Sequence, residues 1–206
     1  MVARLRASAA VLFIVVLSFG CSSKDRVVEV GGSGGVGGAG SDAGACASTP
    51  DGEYFLALSA PLSASSPIVF LAALSSGELS LQPLHACDRE KKAGPAISLG
   101  ALVPNPTGYF DFDPPPFTVP AAANPVTSVS GDVDVQIDLT SFRGALCGPS
   151  PCGDADGDVT SPLLISVDGS TWAAKKVTGP ADYPEPPALD CKGTLAAPKP
   201  GACPGQ

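Results

Sequence analysis

The feature that most constrains the fold is a stretch of strict alternation near the middle of the chain, SVSGDVDVQIDLTS. Apolar residues and glycine occupy every second position: Val129, Gly131, Val133, Val135, Ile137 and Leu139. The positions between them are polar: Ser130, Asp132, Asp134, Gln136, Asp138 and Thr140. Because side chains alternate between the two faces of a strand, this pattern predicts a β-strand with one buried and one solvated face. Such strands are typical of antiparallel sheets.

Several other segments carry strand signals. Residues 53–59 (EYFLALS) form a short aromatic and aliphatic run that ends before Pro61. Residues 67–74 (PIVFLAAL) are continuously apolar, and although Ser66 and Pro67 would suit the start of a helix, the β-branched and aromatic residues favour a buried strand. Further candidates are residues 79–84, 96–103 and 109–113.

The turns point to the same fold class. Asp168-Gly169 separates two strand-like segments, 163–167 and 170–177, and predicts a type I′ hairpin in which both turn residues have positive φ. The chain's 24 glycines and 22 prolines among 206 residues favour short strands over long helices. We therefore expect an all-β fold, an antiparallel β-sandwich or barrel-like domain over residues 45–206. Its Pro-rich tail, residues 179–206, is expected to run extended over the surface, held by Cys191 and Cys203.

The first twenty residues have the composition of a signal peptide. Arg4 and Arg6 precede an apolar run, residues 9–19, that is too short to span a bilayer. The sequence LSFGC that follows resembles the lipobox of bacterial lipoproteins, in which a lipid is attached to the cysteine, here Cys21. Ser18 and Phe19 depart from the usual lipobox residues. Cleavage by the small-x-small rule at Ser18 and Gly20, which would release a soluble protein, is the alternative.

Residues 21–44 predict a lipid anchor followed by a tether. After Cys21 the segment becomes a run of Gly, Ser and Ala without periodicity, which cannot bury enough apolar area to order itself. We expect a disordered, flexible coil spanning about 25–30 Å. The glycines do not follow a strand or open a helix, which excludes a phosphate-binding loop. A lipobox, a Gly-rich tether and a Pro-rich β domain together resemble the envelope lipoproteins of myxobacterium-like species; the resemblance implies no catalytic residue and no ligand.

Cysteine parity agrees with the anchor. The chain has seven cysteines, and lipidation of Cys21 leaves an even set for disulfides: Cys46, Cys87, Cys147, Cys152, Cys191 and Cys203. Six cysteines allow fifteen connectivities. The short spacing favours Cys147–Cys152, and the positions of the others suggest Cys191–Cys203 and Cys46–Cys87.

Charge and residue usage exclude several functions. Without residues 1–20 the chain holds 20 acidic and 10 basic residues, a net charge of −10, which makes nucleic acid a poor partner. His85 is the single histidine, and no nucleophile elbow or Ser-x-x-Lys motif accompanies it. Asp168-Gly169-Ser170 lacks the pattern and the second copy of an aspartic-protease motif. We therefore predict no catalytic residues and no enzymatic activity.

Two patterns leave binding sites open. Asp154, Asp156 and Asp158 alternate around Gly157, which predicts a solvated acidic turn or, alternatively, a loose calcium loop; an EF-hand fails because position twelve falls on Leu163. A platform for sugars would require exposed aromatic residues. Trp172, Tyr109 and Tyr183 are the candidates, but nothing in their spacing aligns them, and core or rim positions are expected instead.

The sequence therefore predicts an exported cell-envelope protein, anchored to the outer membrane through Cys21 and requiring no cofactor. Its β domain is expected to be non-enzymatic and to bind an envelope or extracellular ligand or to act as a spacer. The alternatives are a secreted-type hydrolase acting on glycans through paired acids and a calcium-dependent binding module.

The anchor generates the first prediction. Cys21→Ala should remain an unlipidated precursor that no longer partitions with membranes, because the acylated sulfur is gone. Labelling with radioactive palmitate, followed by membrane fractionation, measures this. Ser22→Ala is the matched control and should still be labelled, whereas a wild-type chain that never incorporates palmitate would contradict the lipobox interpretation.

Overall fold

The computed structural model describes residues 51–146 and 150–198, and within them the regular secondary structure is predominantly β-strand. One four-residue helix, α1 (Thr127–Ser130), and three single 3₁₀ turns (Pro61–Ser63, Ala121–Ala123 and Pro180–Asp182) interrupt the strands. The strands are β1 Gly52–Ser59, β2 Ile68–Ser75, β3 Glu78–Pro83, β4 Ile97–Ala101, β5 Tyr109–Phe112, β6 Phe117–Val119, β7 Val135–Ala145, β8 Cys152–Ser161, β9 Ile165–Ser166 and β10 Ser170–Val177.

The strands form one curled antiparallel sheet, a half-barrel, in the order β4-β3-β2-β1-β10-β8-β7-β5. The short strands β6 and β9 add to β7 and β8. This confirms the all-β, barrel-like prediction. In the described part of the chain no helix has the length and apolar character needed to cross a membrane.

The concave face of the sheet carries the main core, whose centre is aromatic. Trp172 of β10 stacks on Phe142 of β7 with ring centroids 5.0 Å apart, and Phe110 of β5 lies 5.8 Å from both rings. The Trp172 indole is 2% exposed, and its Nε1 donates a hydrogen bond of 3.0 Å to the carbonyl of Arg143. The polar atom of the indole is therefore satisfied inside an apolar core.

Glycines on β7 and β8 make room for that indole. A Cβ on Gly144 would collide with the Trp172 ring, and a Cβ on its cross-strand partner Gly153 would collide with the Arg143 carbonyl and the Gly144 backbone. Further along β8, a Cβ on Gly157 would strike the backbone of Asp138 and Leu139. Only glycine permits this close approach of the two strands.

The convex face has a second, smaller core, because the chain after β10 returns across β1 and β2. Leu189 and Ala196 of this tail pack with Phe55, Ala57 and Val69, which point outward from the two strands. This explains why β1 is buried on both faces and reads as a continuous apolar run. Most of the described tail residues, 179–198, lie at the surface, and Leu189 and Ala196 are buried in this second core.

Polar contacts fix the tail to the sheet. Thr171 Oγ1 donates a hydrogen bond of 2.8 Å to the carbonyl of Leu189. Arg89, in the connection between β3 and β4, is buried and forms an ion pair of 2.7 Å with Glu185 of the tail. The tail is thus attached at both the sheet and a distant loop.

A disulfide completes this attachment and corrects the predicted pairing. Cys152 on the convex side of β8 is bonded to Cys191, with Cα atoms 5.2 Å apart. The Cys147–Cys152 and Cys191–Cys203 pairings are therefore wrong, because spacing along the chain does not show where the tail crosses β8. Cys87 is also disulfide-bonded, but Cys46 lies outside the described residues, so its pairing with Cys87 stays a prediction.

The alternating segment is a strand only in its second half. Val135, Ile137 and Leu139 are buried as predicted, but residues 127–130 form α1 and Val133 is 42% exposed. Gly131, with φ +79°, ends the helix and prevents an extended strand at that point. After Leu139 a register shift moves the buried positions of β7 to Phe142 and Gly144.

Two predicted turns are also corrected. The acidic segment 152–161 is strand β8 and not a turn. Asp168-Gly169 does not form a type I′ hairpin, because β9 pairs with β8 rather than with β10 and only Gly169 has positive φ. The segment is a β-turn closed by the Ser170 N–H on the Val167 carbonyl, at 3.1 Å.

The close approach of β7 and β8 generates the second prediction. Gly153→Ala should lower the free energy of unfolding by about 2 kcal/mol or more, because the methyl group has no room between the two backbones. Gly179→Ala is the matched control, since its backbone is extended and nothing lies near its Cβ position. Urea unfolding measures both; equal stabilities would contradict the packing described here.

Candidate functional site

An apolar pocket lies at one end of the half-barrel's inner face. It lies where β1 ends, β2 begins and β8 turns into β9, and its volume is about 80 Å³. Aliphatic side chains from five strands line it: Leu58, Ile68, Ile137, Leu139, Val159 and Ile165. The first 3₁₀ turn contributes Leu62, which is 52% exposed and forms part of the rim.

Four of the five polar side chains that line the pocket form hydrogen bonds within the protein, those of Ser63, Asn124, Ser130 and Ser170. Asn124 is buried; its Oδ1 accepts from the Val126 N–H at 2.9 Å, and its Nδ2 donates to Ser130 Oγ at 2.7 Å. Ser130 Oγ donates in turn to the Val126 carbonyl at 3.1 Å, and Ser170 Oγ to the Val167 carbonyl at 2.5 Å. Among the described residues that line the pocket none carries a charge. The pocket therefore presents hydrocarbon to an incoming molecule.

A second, smaller pocket of about 30 Å³ lies toward the other end of the concave face. The aromatic core forms its floor through Phe110, Phe142 and Trp172. Leu102, after β4, and Leu146, after β7, complete it. Since this space is about the size that one solvent molecule occupies, it is a packing gap rather than a ligand site.

The acidic residues of β8 lie on the convex face, away from both pockets. Asp154, Asp156 and Asp158 alternate with the inward positions Gly153 and Ala155, so all three side chains are on one face of the strand. Asp158 lies directly opposite Asp138 of β7, and this like-charge pair is unfavourable.

Asp156 has partners that hold its carboxylate in the charged form. Its Oδ2 forms an ion pair of 2.7 Å with Arg143, and its Oδ1 accepts from the Gly169 N–H at 2.8 Å. The hydrogen bond from Gly169 and the contact with Arg143 lower the pKa of Asp156 below its ordinary value, against the opposing effect of desolvation. The same contact raises the pKa of Arg143. Asp156 is therefore a structural ion-pair partner.

The predicted calcium loop does not gain ligands from the fold. Over residues 51–146 and 150–198 no three His, Cys, Asp or Glu side chains come together in a group that could hold a metal ion. Asp168, which follows β9, uses its Oδ1 to accept from the Gly157 N–H at 3.0 Å. Asp156 and Asp168 thus accept hydrogen bonds from the backbone N–H groups of Gly169 and Gly157.

The remaining sequence candidates are dispersed. Trp172 is in the core, Tyr183 packs on Phe55 with ring centroids 4.8 Å apart, and Tyr109 is 42% exposed at the sheet edge. These three aromatics do not form a platform. His85 is half-buried after β3, and its backbone N–H donates a hydrogen bond of 2.9 Å to the Lys91 carbonyl. Cys21, Cys46, Cys147 and Cys203 lie outside the described residues.

Comparison with known proteins gives no relative: no family model, curated protein or solved structure matches this chain.

Sequence reasoning missed the pocket. Its lining residues come from separate segments, and most are ordinary aliphatic residues that a core strand would contain. One signal was available in the sequence. Leu62 stands between Pro61 and Ser63, in a segment expected to be an exposed turn, where a large apolar residue is unusual. Sequence alone does not show that such a leucine borders a cavity.

The Asp156 contacts generate the third prediction. A carboxylate whose pKa is lowered by folding adds stability above its unfolded pKa of about 4, and loses it as pH falls through the folded value. Asp156→Asn should therefore reduce the free energy of unfolding by about 1 kcal/mol near neutral pH and have little effect below about pH 2. Urea unfolding at both pH values measures this. Asp113→Asn, at an exposed position just after β5, is the control; an equal effect of the two variants would contradict the assignment.

Proposed function

We propose that this chain is an exported, lipid-anchored protein of the cell envelope, and that its half-barrel is a non-enzymatic binding domain. The LSFGC sequence and the even number of cysteines after Cys21 support the anchor and an oxidising compartment. A lipid on Cys21 and the Gly-rich segment after it would hold the domain within about 30 Å of the outer membrane.

The observation that carries the binding function is the open apolar pocket. A half-barrel that served only as a spacer would be expected to fill its concave face with side chains, because empty apolar space costs stability. Here a space of about 80 Å³ is retained between Leu58, Ile137 and Val159, and it opens at Leu62. Ligand sites in β-barrels commonly occupy such mouths.

No specific observation favours the hydrolase. Glycan hydrolysis by paired acids needs two carboxylates facing one concave site. The pocket lining contains none, and Asp154, Asp156 and Asp158 face away from it on the convex side. Binding without chemistry is therefore the function that the arrangement supports best.

Xenon, which enters dry apolar cavities, tests whether the pocket is accessible and empty. The full chain carrying Cys21→Ala is used, because it needs no detergent that would itself occupy the pocket. Xenon should shift the methyl NMR signals of Ile137 and Val159 and leave those of Val69, on the convex face, unchanged. Unshifted pocket methyls would mean that the site is closed, and the binding function would then be wrong.

A further inference from the structure

We propose that the pocket binds the end of a straight acyl chain, recognised as hydrocarbon and without a charged head group. This inference rests on the proposed binding function and names the chemical class of its ligand. Four observations carry it: the satisfied polar groups, the pocket volume, the exposed rim, and the lack of charge in the lining.

The hydrogen bonds around the pocket select against a peptide. A peptide side chain brings backbone N–H and C=O groups with it, and these need partners when water is removed. Asn124, Ser130 and Ser170 already use their polar atoms within the protein. The last carbons of an acyl chain have no hydrogen-bonding groups, so they lose nothing on entering this lining.

The volume sets how much of the chain enters. At about 80 Å³ the pocket has roughly half the volume of the ~150 Å³ apolar cavity that holds benzene. It therefore admits a few terminal carbons and not a whole acyl chain. The remainder of the acyl chain would leave the pocket past Leu62, whose exposed side chain extends the apolar surface at the rim.

The absence of charged side chains in the lining further restricts the chemical class of the ligand. Fatty-acid sites that recognise a carboxylate require a cation or hydrogen-bond donors at the chain's head. The described lining residues include no Lys, Arg or His. The head group must consequently remain outside, in water or in a bilayer, and the same pocket accepts chains from either source.

A series of straight-chain alcohols tests the inference on the full chain carrying Cys21→Ala. Affinity, measured from the methyl shifts of Ile137 and Val159, should rise about fourfold per added methylene from ethanol onward and level off once the pocket is full. Isoamyl alcohol, which has the shape of a leucine side chain, should bind more weakly than 1-pentanol, the straight-chain alcohol with the same number of carbons. Tighter binding of the branched alcohol would overturn the proposal in favour of a peptide side chain.

Variants locate the site. Val159→Phe should fill the pocket and reduce alcohol affinity at least tenfold, while Thr160→Phe, on the exposed face of the same strand, should leave it unchanged. If Val159→Phe does not fold, Leu62→Ala at the half-exposed rim replaces it and should weaken 1-hexanol binding about threefold or more. Equal affinities in wild type and both pocket variants would overturn the proposal.

Two further experiments identify the source of the acyl chain and distinguish failure of this inference from failure of the binding function. Flotation of the unlipidated chain with phosphatidylcholine vesicles, abolished by Val159→Phe, would assign the ligand to a bilayer lipid; alcohol binding without flotation would assign it to free chains, and both results support the acyl-chain class. Xenon entry without any response to alcohols would overturn this inference alone and leave the binding function standing.

Discussion

The packing of Trp172 against glycine is the contact on which the close approach of β7, β8 and β10 depends. The indole of β10 lies over Gly144, whose cross-strand partner Gly153 allows β7 and β8 to approach more closely than strands bearing side chains could. The Trp172 Nε1 also donates a hydrogen bond to the Arg143 carbonyl of β7. Strands β7, β8 and β10 therefore meet at this one side chain. The inner face of the curled sheet is filled by aromatic rings at this end and left open as an aliphatic pocket at the other.

The curled sheet has a second apolar face, and the chain covers it with its own tail. Leu189 and Ala196 bury the outward side chains of β1 and β2, and the Cys152–Cys191 disulfide, which closes a loop with a sequence separation of 39, ties the tail to β8. A cross-link over such a loop restricts the unfolded chain and contributes about 2–4 kcal/mol. The tail leaves the acidic convex face of β8 in water, where Arg143 offsets part of its charge. The tail and its disulfide thus stabilise the face of the sheet opposite the proposed binding site.

The sequence predicted what local periodicity determines and missed what distant contacts determine. Buried Val135, Ile137 and Leu139 follow from alternation, and strands β1 and β2 follow from short apolar runs. The acidic segment is strand β8, and its Asp156 forms an ion pair with Arg143 across the sheet and accepts from the Gly169 N–H, contacts that composition does not show. The disulfide partner of Cys152 depends on the path of the tail, and the pocket depends on five strands converging. None of these can be read from neighbouring residues.

The fluorescence of Trp172 tests the central claim most directly, because it is the chain's single tryptophan. The Trp172 indole lies in the concave core, where it is 2% exposed and stacked on Phe142. Native emission should therefore be blue-shifted and protected from quenching by acrylamide, and both properties should be lost together when urea unfolds the chain. A native protein whose tryptophan emits at the wavelength of a solvated indole and is quenched as readily as the unfolded chain would contradict the account.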